Sequence, residues 1–205
     1  MERKSSDDLN APVRRLTGAA IRRPKVTDAL TRVFFEEWAR HGYAGLSLER
    51  VARRAGTGKA ALYRRWPDKA TMASDLLSGV GLIITDVPEQ SSLTDDLRVL
   101  LFAIRRVLRH PQIRRIVADL HSEIGRNQAL ADAIRPFQRE RRARINGLLN
   151  RAMTRGEMRE SCDREAAADI IAAPLYWRMV IIGGRADRSH IERLAISIAN
   201  ALRTC

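Results

Sequence analysis

The stretch Leu48 to Lys69, LERVARRAGTGKAALYRRWPDK, constrains this chain more than any other. Ser47 stands where a helix cap belongs, and Glu49 puts a negative charge in the first turn, where the helix dipole favours it. Leu48, Val51, Ala52 and Ala55 recur on one helical face, and Gly56 ends the segment. A second short segment follows Gly56-Thr57-Gly58 and stops at Trp66-Pro67, because the residue before proline is pushed out of the helical region. Two short helices joined by a glycine-containing turn form a helix-turn-helix. Ala52 leaves room where the helices cross, and Leu62 anchors the second helix inward. Its outer side carries Lys59, Ala60, Tyr63 and Arg64, with Arg65 near the end. The major groove of DNA is wide enough to admit such a helix.

Charge points the same way. The chain has 37 Lys+Arg against 24 Asp+Glu, a formal charge of +13, which suits a polyanionic partner, either nucleic acid or an anionic membrane surface. The most apolar run, Ile170 to Gly184, is interrupted by Arg178 and is short for a membrane span, and the opening MERKSSDDLN has no apolar signal core. A cytoplasmic protein is expected. Cys162 and Cys205 lack the spacing of a disulfide framework or a zinc site and fit a reducing compartment. Lys69, just after the cap candidate Asp68, is a cation at a helix start, where the dipole disfavours it; a DNA phosphate would compensate, and a solvated lysine is the alternative.

No catalytic set can be assembled. GTGKA is similar to the end of a phosphate-binding loop, but Arg53 and Ala60 occupy positions that need a glycine and a hydroxyl residue, and no strand precedes it. His41, His110, His121 and His190 are scattered away from cysteines and acid clusters, so neither metal nor cofactor is expected.

The whole chain reads as all-α. Residues 1–23, polar and rich in arginine, read as a disordered basic arm, 24–70 as the helix-turn-helix module, and 71–205 as a larger helical domain. Helices are expected over about 24–42 and 69–84, then over two amphipathic segments ending near Pro111 and Gly125. A long segment from about 128 to 155 should be kinked or divided by Pro136, and two last helices cover about 163–182 and 189–203. These last two are apolar on more than one face. Leu175, Met179, Ile182, Ile191, Leu194 and Ile198 therefore serve either a deep core or an interface that forms a four-helix bundle with a second copy, the reading preferred here. The run Arg135, Arg139, Arg141, Arg142 and Arg144 covers most of a helix circumference and reads as a solvated face.

Residues 25 to 77, with LSLERVARRAG and ALYRRWPDK, resemble the DNA-binding domain of the TetR (tetracycline-repressor-like) family of bacterial transcriptional regulators. Ala173-Pro174-Leu175-Tyr176-Trp177-Arg178 and Thr154-Arg155-Gly156-Glu157-Met158 are similar to elements of one branch of its C-terminal domains. The resemblance implies a homodimer of nine or ten helices per subunit that binds a palindromic operator and a small molecule. By position, Ser47, Tyr63 and Lys69 would contact phosphates, and Lys59 and its neighbours would face bases. Gly58 and Ala61 stand where the family often has Ser and Thr, so two hydroxyl contacts are missing, and Thr57 partly replaces the lost cap. The implied effector pocket would involve Met72, Leu76, Leu101, Phe102, Leu120, His121, Phe137, Tyr176 and Trp177, suiting an apolar or aromatic molecule. The expected function is a ligand-released repressor without enzymatic activity. A sequence-tolerant architectural DNA binder is the alternative.

Overall fold

The computed structural model describes residues 24–205, and the basic arm expected over 1–23 lies outside the described residues. All regular structure among the described residues is helical, as expected. The order is α1 (Pro24–Gly45), α2 (Leu48–Arg54), α3 (Lys59–Arg65), α4 (Lys69–Thr85), α5 (Leu93–Leu108), α6 (Pro111–Ile124), α7 (Gln128–Thr154), α8 (Arg164–Tyr176) and α9 (Arg188–Arg203). A π-helical turn, Trp177–Ile181, extends α8.

The starts of these helices follow from side chains that satisfy otherwise unpaired backbone N–H groups. Asp68 accepts from Thr71 N at 2.8 Å, Asn127 from Leu130 N at 3.0 Å and Asp187 from His190 N at 2.7 Å. Ser92 caps α5 through Asp95 N, and Asp163 caps α8 through Glu165 N and Ala166 N. Near the end of α1, Gly42 leaves the helix at φ +68°, a backbone that disfavours any side chain.

Two apolar cores form. One joins Phe34, Trp38, Val51, Leu62 and Trp66 of the first helices to Met72 of α4, Ile116 of α6 and Leu130 of α7. The other packs Leu97 and Leu101 of α5 against Leu149 of α7, Ile171 and Leu175 of α8, and Ile191 and Leu202 of α9. Each fully buried side chain of this kind contributes about 1.5–3 kcal/mol. Because α7 serves both cores, the helical head and the larger domain share their packing rather than meeting at a linker. The second core also holds a buried carboxylate. Asp96, fully buried, is paired with Arg155 at 2.8 Å and Arg151 at 3.3 Å, and accepts from Gln90 N. Arg155 continues to Glu157 at 2.6 Å, whose carboxylate takes the Leu93 N–H at the start of α5.

Four expectations need correction. Pro136 does not divide α7, which runs unbroken from Gln128 to Thr154; packing of Ile134 and Phe137, and the Ser74 hydroxyl donating to Ala133 O at 2.5 Å, hold that stretch helical across it. The cysteines are not isolated: Cys162 before α8 and Cys205 at the chain end are disulfide-bonded, with Cα atoms 5.2 Å apart, because α9 returns the chain end to the α7–α8 loop. The penultimate helix does not continue as an α-helix to residue 182 but changes to the π-turn at Trp177. Finally, Leu175, Met179, Ile191 and Ile198 are sealed inside the subunit's own core, at 0–3 % exposure, leaving only Ile182 and the half-buried Leu194 of the proposed interface set at the surface.

Candidate nucleic-acid interface and effector cavity

The Ser47 hydroxyl accepts from Arg50 N at 3.4 Å to start α2. Its turn to α3 passes through Gly56 at φ +66°, after which Thr57 N donates to Ala52 O at 2.9 Å. Val51 and Ala52 are buried on α2, and Leu62 is the buried anchor of α3. The head is locked from behind by Glu37 of α1, buried at 2 % exposure, which accepts from Arg50 Nε at 2.8 Å and Arg54 Nη1 at 2.7 Å. Burial alone would raise the Glu37 carboxyl, but these two hydrogen bonds and the positive charges of Arg50 and His41 hold it below its ordinary value.

With Leu62 turned inward, α3 presents Lys59, Ala60, Ala61, Tyr63, Arg64 and Arg65 to solvent. The predicted residues do not all stand free. Lys59 Nζ lies 2.8 Å from Glu49 Oε1, joining the first turns of α2 and α3. Tyr63 is 41 % exposed, and Arg64 is exposed with no ion pair among the described residues. Thr57 is half-buried in the turn. Arg65 is drawn back into the head: it donates to Thr27 Oγ1 at 2.9 Å, lies 3.7 Å from Asp75 and stacks on the Trp66 ring at 4.1 Å. Lys69 donates to Tyr43 O at 2.9 Å and Ala44 O at 3.2 Å, with its ammonium 4.6 Å from the Tyr43 ring centre. The compensation its position demands therefore comes from the C-terminal carbonyls of α1, where a cation is favoured. Exposed Arg53 on α2 has no ion pair among the described residues, and sequence reasoning passed over it as merely a misfit to a phosphate loop.

Behind the head lies a cavity of about 480 Å³. Its walls are mostly aliphatic and aromatic, with Phe35 of α1, Leu77 of α4, Ile104 of α5, Val117 of α6, Ile145 of α7 and Ile171 of α8 among them. Of the nine residues expected in a pocket, Leu120, His121, Phe137 and Tyr176 line this cavity. Met72, Leu76 and Leu101 are instead packed in the cores, Phe102 borders a separate arginine-rich cleft, and Trp177 is 59 % exposed on the outer surface. The ring of His121 lies 4.8 Å from that of Tyr176 and its Nδ1 is 2.7 Å from Val117 O. Burial pushes the Tyr176 phenol above its ordinary value, so it is a neutral hydroxyl near pH 7. Arg141, expected on a solvated face, lines the cavity as well.

Helix α6 connects the two regions. While Val117, Leu120 and His121 face the cavity, Asp119 Oδ2 accepts from Trp38 Nε1 at 2.7 Å and from Tyr43 N at 2.8 Å, both in α1. Asp119 Oδ1 lies 3.1 Å from where a Cβ on Gly42 would stand, so the break in α1 and the carboxylate fit one another. Asp119 was missed; its only sequence signal is an acid inside an otherwise apolar-patterned helix. On the far side, Ile170, Trp177, Ile181, Ile182 and Ile196 are each 41–59 % exposed, a set of large apolar side chains on α8, the π-turn and α9.

Comparison with known proteins agrees with this geometry. Residues 32–76 match the family described as bacterial regulatory proteins, tetR family, and residues 87–198 match the tetracyclin repressor-like C-terminal domain. The chain is 30% identical over 168 residues to a DNA-binding transcriptional repressor TetR of Mycobacteroides abscessus, covering 81% of this chain and 87% of that protein. It is 26% identical to the HTH-type transcriptional regulator YdeS of Bacillus subtilis, covering 76% and 79% of the two chains. Among solved structures, the TetR family transcription regulator SCO0332 superimposes with a TM-score of 0.66 at 26% identity, covering 86% of this chain and 97% of that one. No helix of the described residues is long and apolar enough to cross a membrane. With an exposed recognition helix on a locked head, and both of its parts matched, this chain belongs to the TetR family of bacterial DNA-binding transcriptional regulators.

Proposed function

We propose that the chain is a homodimeric repressor that binds a palindromic operator and is released from it by a small apolar molecule. The observation that carries this reading is the shared wall: the cavity is bounded by Phe35 of α1 and Leu77 of α4, helices that also build the DNA-binding head, and by α6, whose Asp119 holds α1. A molecule seated there displaces the head through direct contact. A dimer reading a palindrome keeps its recognition helices about 34–36 Å apart, so a small swing of each head spoils the register. A preference of the ligand for the swung state by about 1–3 kcal/mol lowers operator affinity roughly 5- to 150-fold. The exposed apolar set around Trp177 supports assembly with a second copy, since large apolar side chains at this density mark contact surfaces. Within the head, Ser47, Thr57, Lys59, Ala60, Tyr63 and Arg64 are assigned to DNA, with Arg65 and Lys69 holding the head together and meeting phosphate only at their edges.

The test begins with fragments that the protein enriches from its own genomic DNA. Footprinting and competition should reveal a symmetric site preferred by about 10³-fold or more over unrelated duplex. Equal affinity for any duplex would overturn the reading in favour of an architectural binder. Operator-bound protein that holds every cavity ligand as tightly as free protein would overturn the release mechanism.

A further inference from the structure

The arginines of α7 divide into two kinds. Arg135 pairs with Asp132; Arg142 with Glu165 at 2.8 Å and Asp169 at 3.2 Å; Arg144 with Glu140 at 3.3 Å and Asp86 at 3.6 Å. Arg141 differs. Among the described residues it makes no ion pair and no hydrogen bond, its guanidinium lies 5.8 Å from the Phe137 ring centre, and it lines the apolar cavity. Asp169, the carboxylate on the same cavity wall, is already engaged by Arg142. Burial, and the neighbouring charge of Arg142, lower the Arg141 pKa, as expected of a cation held away from water without an anion.

We propose that the effector of this protein is a small apolar carboxylate whose charged end is bound by Arg141 while its hydrocarbon or aromatic body fills the cavity. The inference rests on the reading of the cavity as the effector site. A guanidinium meets a carboxylate through two parallel hydrogen bonds, and it is the side chain best suited to do so in a partly dry site. One unpaired cation matches one negative charge; a phosphate-rich ligand would need several, and the other arginines of this wall are taken. The remaining lining, such as Val117, Leu120, Ile145 and Ile171, gives an apolar body nothing to hydrogen-bond and much to cover. A cavity of about 480 Å³ is in the size range of small-molecule sites.

The experiment is calorimetric titration of the full chain with octanoate, dodecanoate and 1-naphthoate, each beside its uncharged primary amide. At least one carboxylate should bind about 10- to 100-fold more tightly than its amide, the range of a charge-assisted hydrogen-bonded pair. Arg141→Met and Arg141→Gln should each abolish that preference while leaving amide affinity within about two-fold, and Arg141→Lys should restore part of it. Two neutral variants are used so that a folding defect in one does not decide the outcome. An amide that binds as well as its acid, or a preference for the acid that survives both neutral variants, overturns the role of Arg141 while the effector cavity stands. If neither acids nor amides bind the wild-type protein, the effector-cavity reading falls, and this inference with it.

Discussion

The contact between Asp119 and α1 can be tested quantitatively, because one carboxylate oxygen serves two donors. Trp38 is buried at 1 % exposure and its indole N–H reaches Asp119 Oδ2 at 2.7 Å; the Tyr43 backbone N–H reaches the same oxygen at 2.8 Å. Hydrogen bonds to a charged group contribute about 1.5–3 kcal/mol each, and a buried donor left alone carries a desolvation penalty of about 1–3 kcal/mol. Asp119 is only part-buried, and water can reach some of the vacated space. Asp119→Ala should therefore destabilise by about 2–4 kcal/mol. Asp119→Asn, which keeps an acceptor and loses the charge, should cost about 1–2 kcal/mol.

Denaturant unfolding reads these values as midpoint shifts at constant slope. Trp38→Phe removes the indole donor, and a double-mutant cycle with Asp119→Ala isolates that one bond from the packing change; the expected coupling is about 1–2 kcal/mol. Amide exchange adds a local readout, since the Tyr43 N–H should lose protection in Asp119→Ala while amides in α9 keep theirs. A coupling below about 0.5 kcal/mol, with Tyr43 still protected, would refute the claim that Asp119 joins the cavity helix to the head.

Other outcomes follow from the same geometry. Glu49→Gln releases Lys59 from its 2.8 Å ion pair and removes a negative charge beside the DNA face, so operator affinity should rise severalfold, whereas Lys59→Ala should weaken binding and relax sequence preference; anisotropy titrations at several salt concentrations check both. Ile181→Glu should separate dimers without unfolding the subunit, while Ile198→Glu, at 3 % exposure, should unfold it; sedimentation and circular dichroism distinguish the two. Reducing the Cys162–Cys205 bond, which spans 43 residues, should lower stability by up to about 4 kcal/mol by the chain-entropy argument, seen as a fall in Tm with added reductant. Glu37 and Glu157 both have carboxyls held below their ordinary value of 4.5, so the native state binds fewer protons than the unfolded chain. Their contribution is complete above that value and is lost as pH falls through the native pKa values, and Glu37→Gln should flatten the acid limb of stability against pH.

The helix-turn-helix was legible because its signals are local. Ser47, Gly56, Leu62 and Trp66-Pro67 each act within a turn or two of chain, and each stands where the sequence placed it. The cavity was legible only in part, since lining depends on which side of a helix meets which neighbour. Leu120 and Phe137 face inward to open space, but Met72 and Leu101 face inward to filled space, and hydropathy is the same for both. Arg141 shows the converse. Its sequence neighbours are arginines of similar exposure, and only the placement of Asp132, Glu140, Glu165 and Asp169 around them leaves it as the unpaired member. The interface set failed because an α-helical period was carried through residues 177–181. The π-turn there adds to the residues per turn, so Met179 points into the core while Trp177, Ile181 and Ile182 are thrown outward.

That displacement bears on how the subunit works as a switch. A π-turn is metastable relative to an α-helix, and here it directly follows Tyr176, whose ring lies 4.8 Å from that of His121 inside the cavity wall. The same short segment thus carries one wall of the cavity at Tyr176 and the exposed apolar side chains at Trp177 and Ile181. Helix α6 presents His121 to the cavity and, through Asp119, reaches Trp38 of the head. A ligand that parts the Tyr176 and His121 rings therefore acts on two packed contacts at once, one leading to the head and one to the apolar outer face. Sub-ångström shifts at such a junction are passed on because packed interiors resist gradual deformation. Replacing Tyr176 by Leu, which keeps apolar bulk and removes the ring pair, should leave operator binding by the free protein within about two-fold and reduce the ligand-induced loss of affinity by about 0.5–2 kcal/mol, the range for residues within a coupling route. Unchanged coupling in that variant, measured by titrating operator with and without a cavity-bound carboxylate, would place transmission elsewhere in the wall.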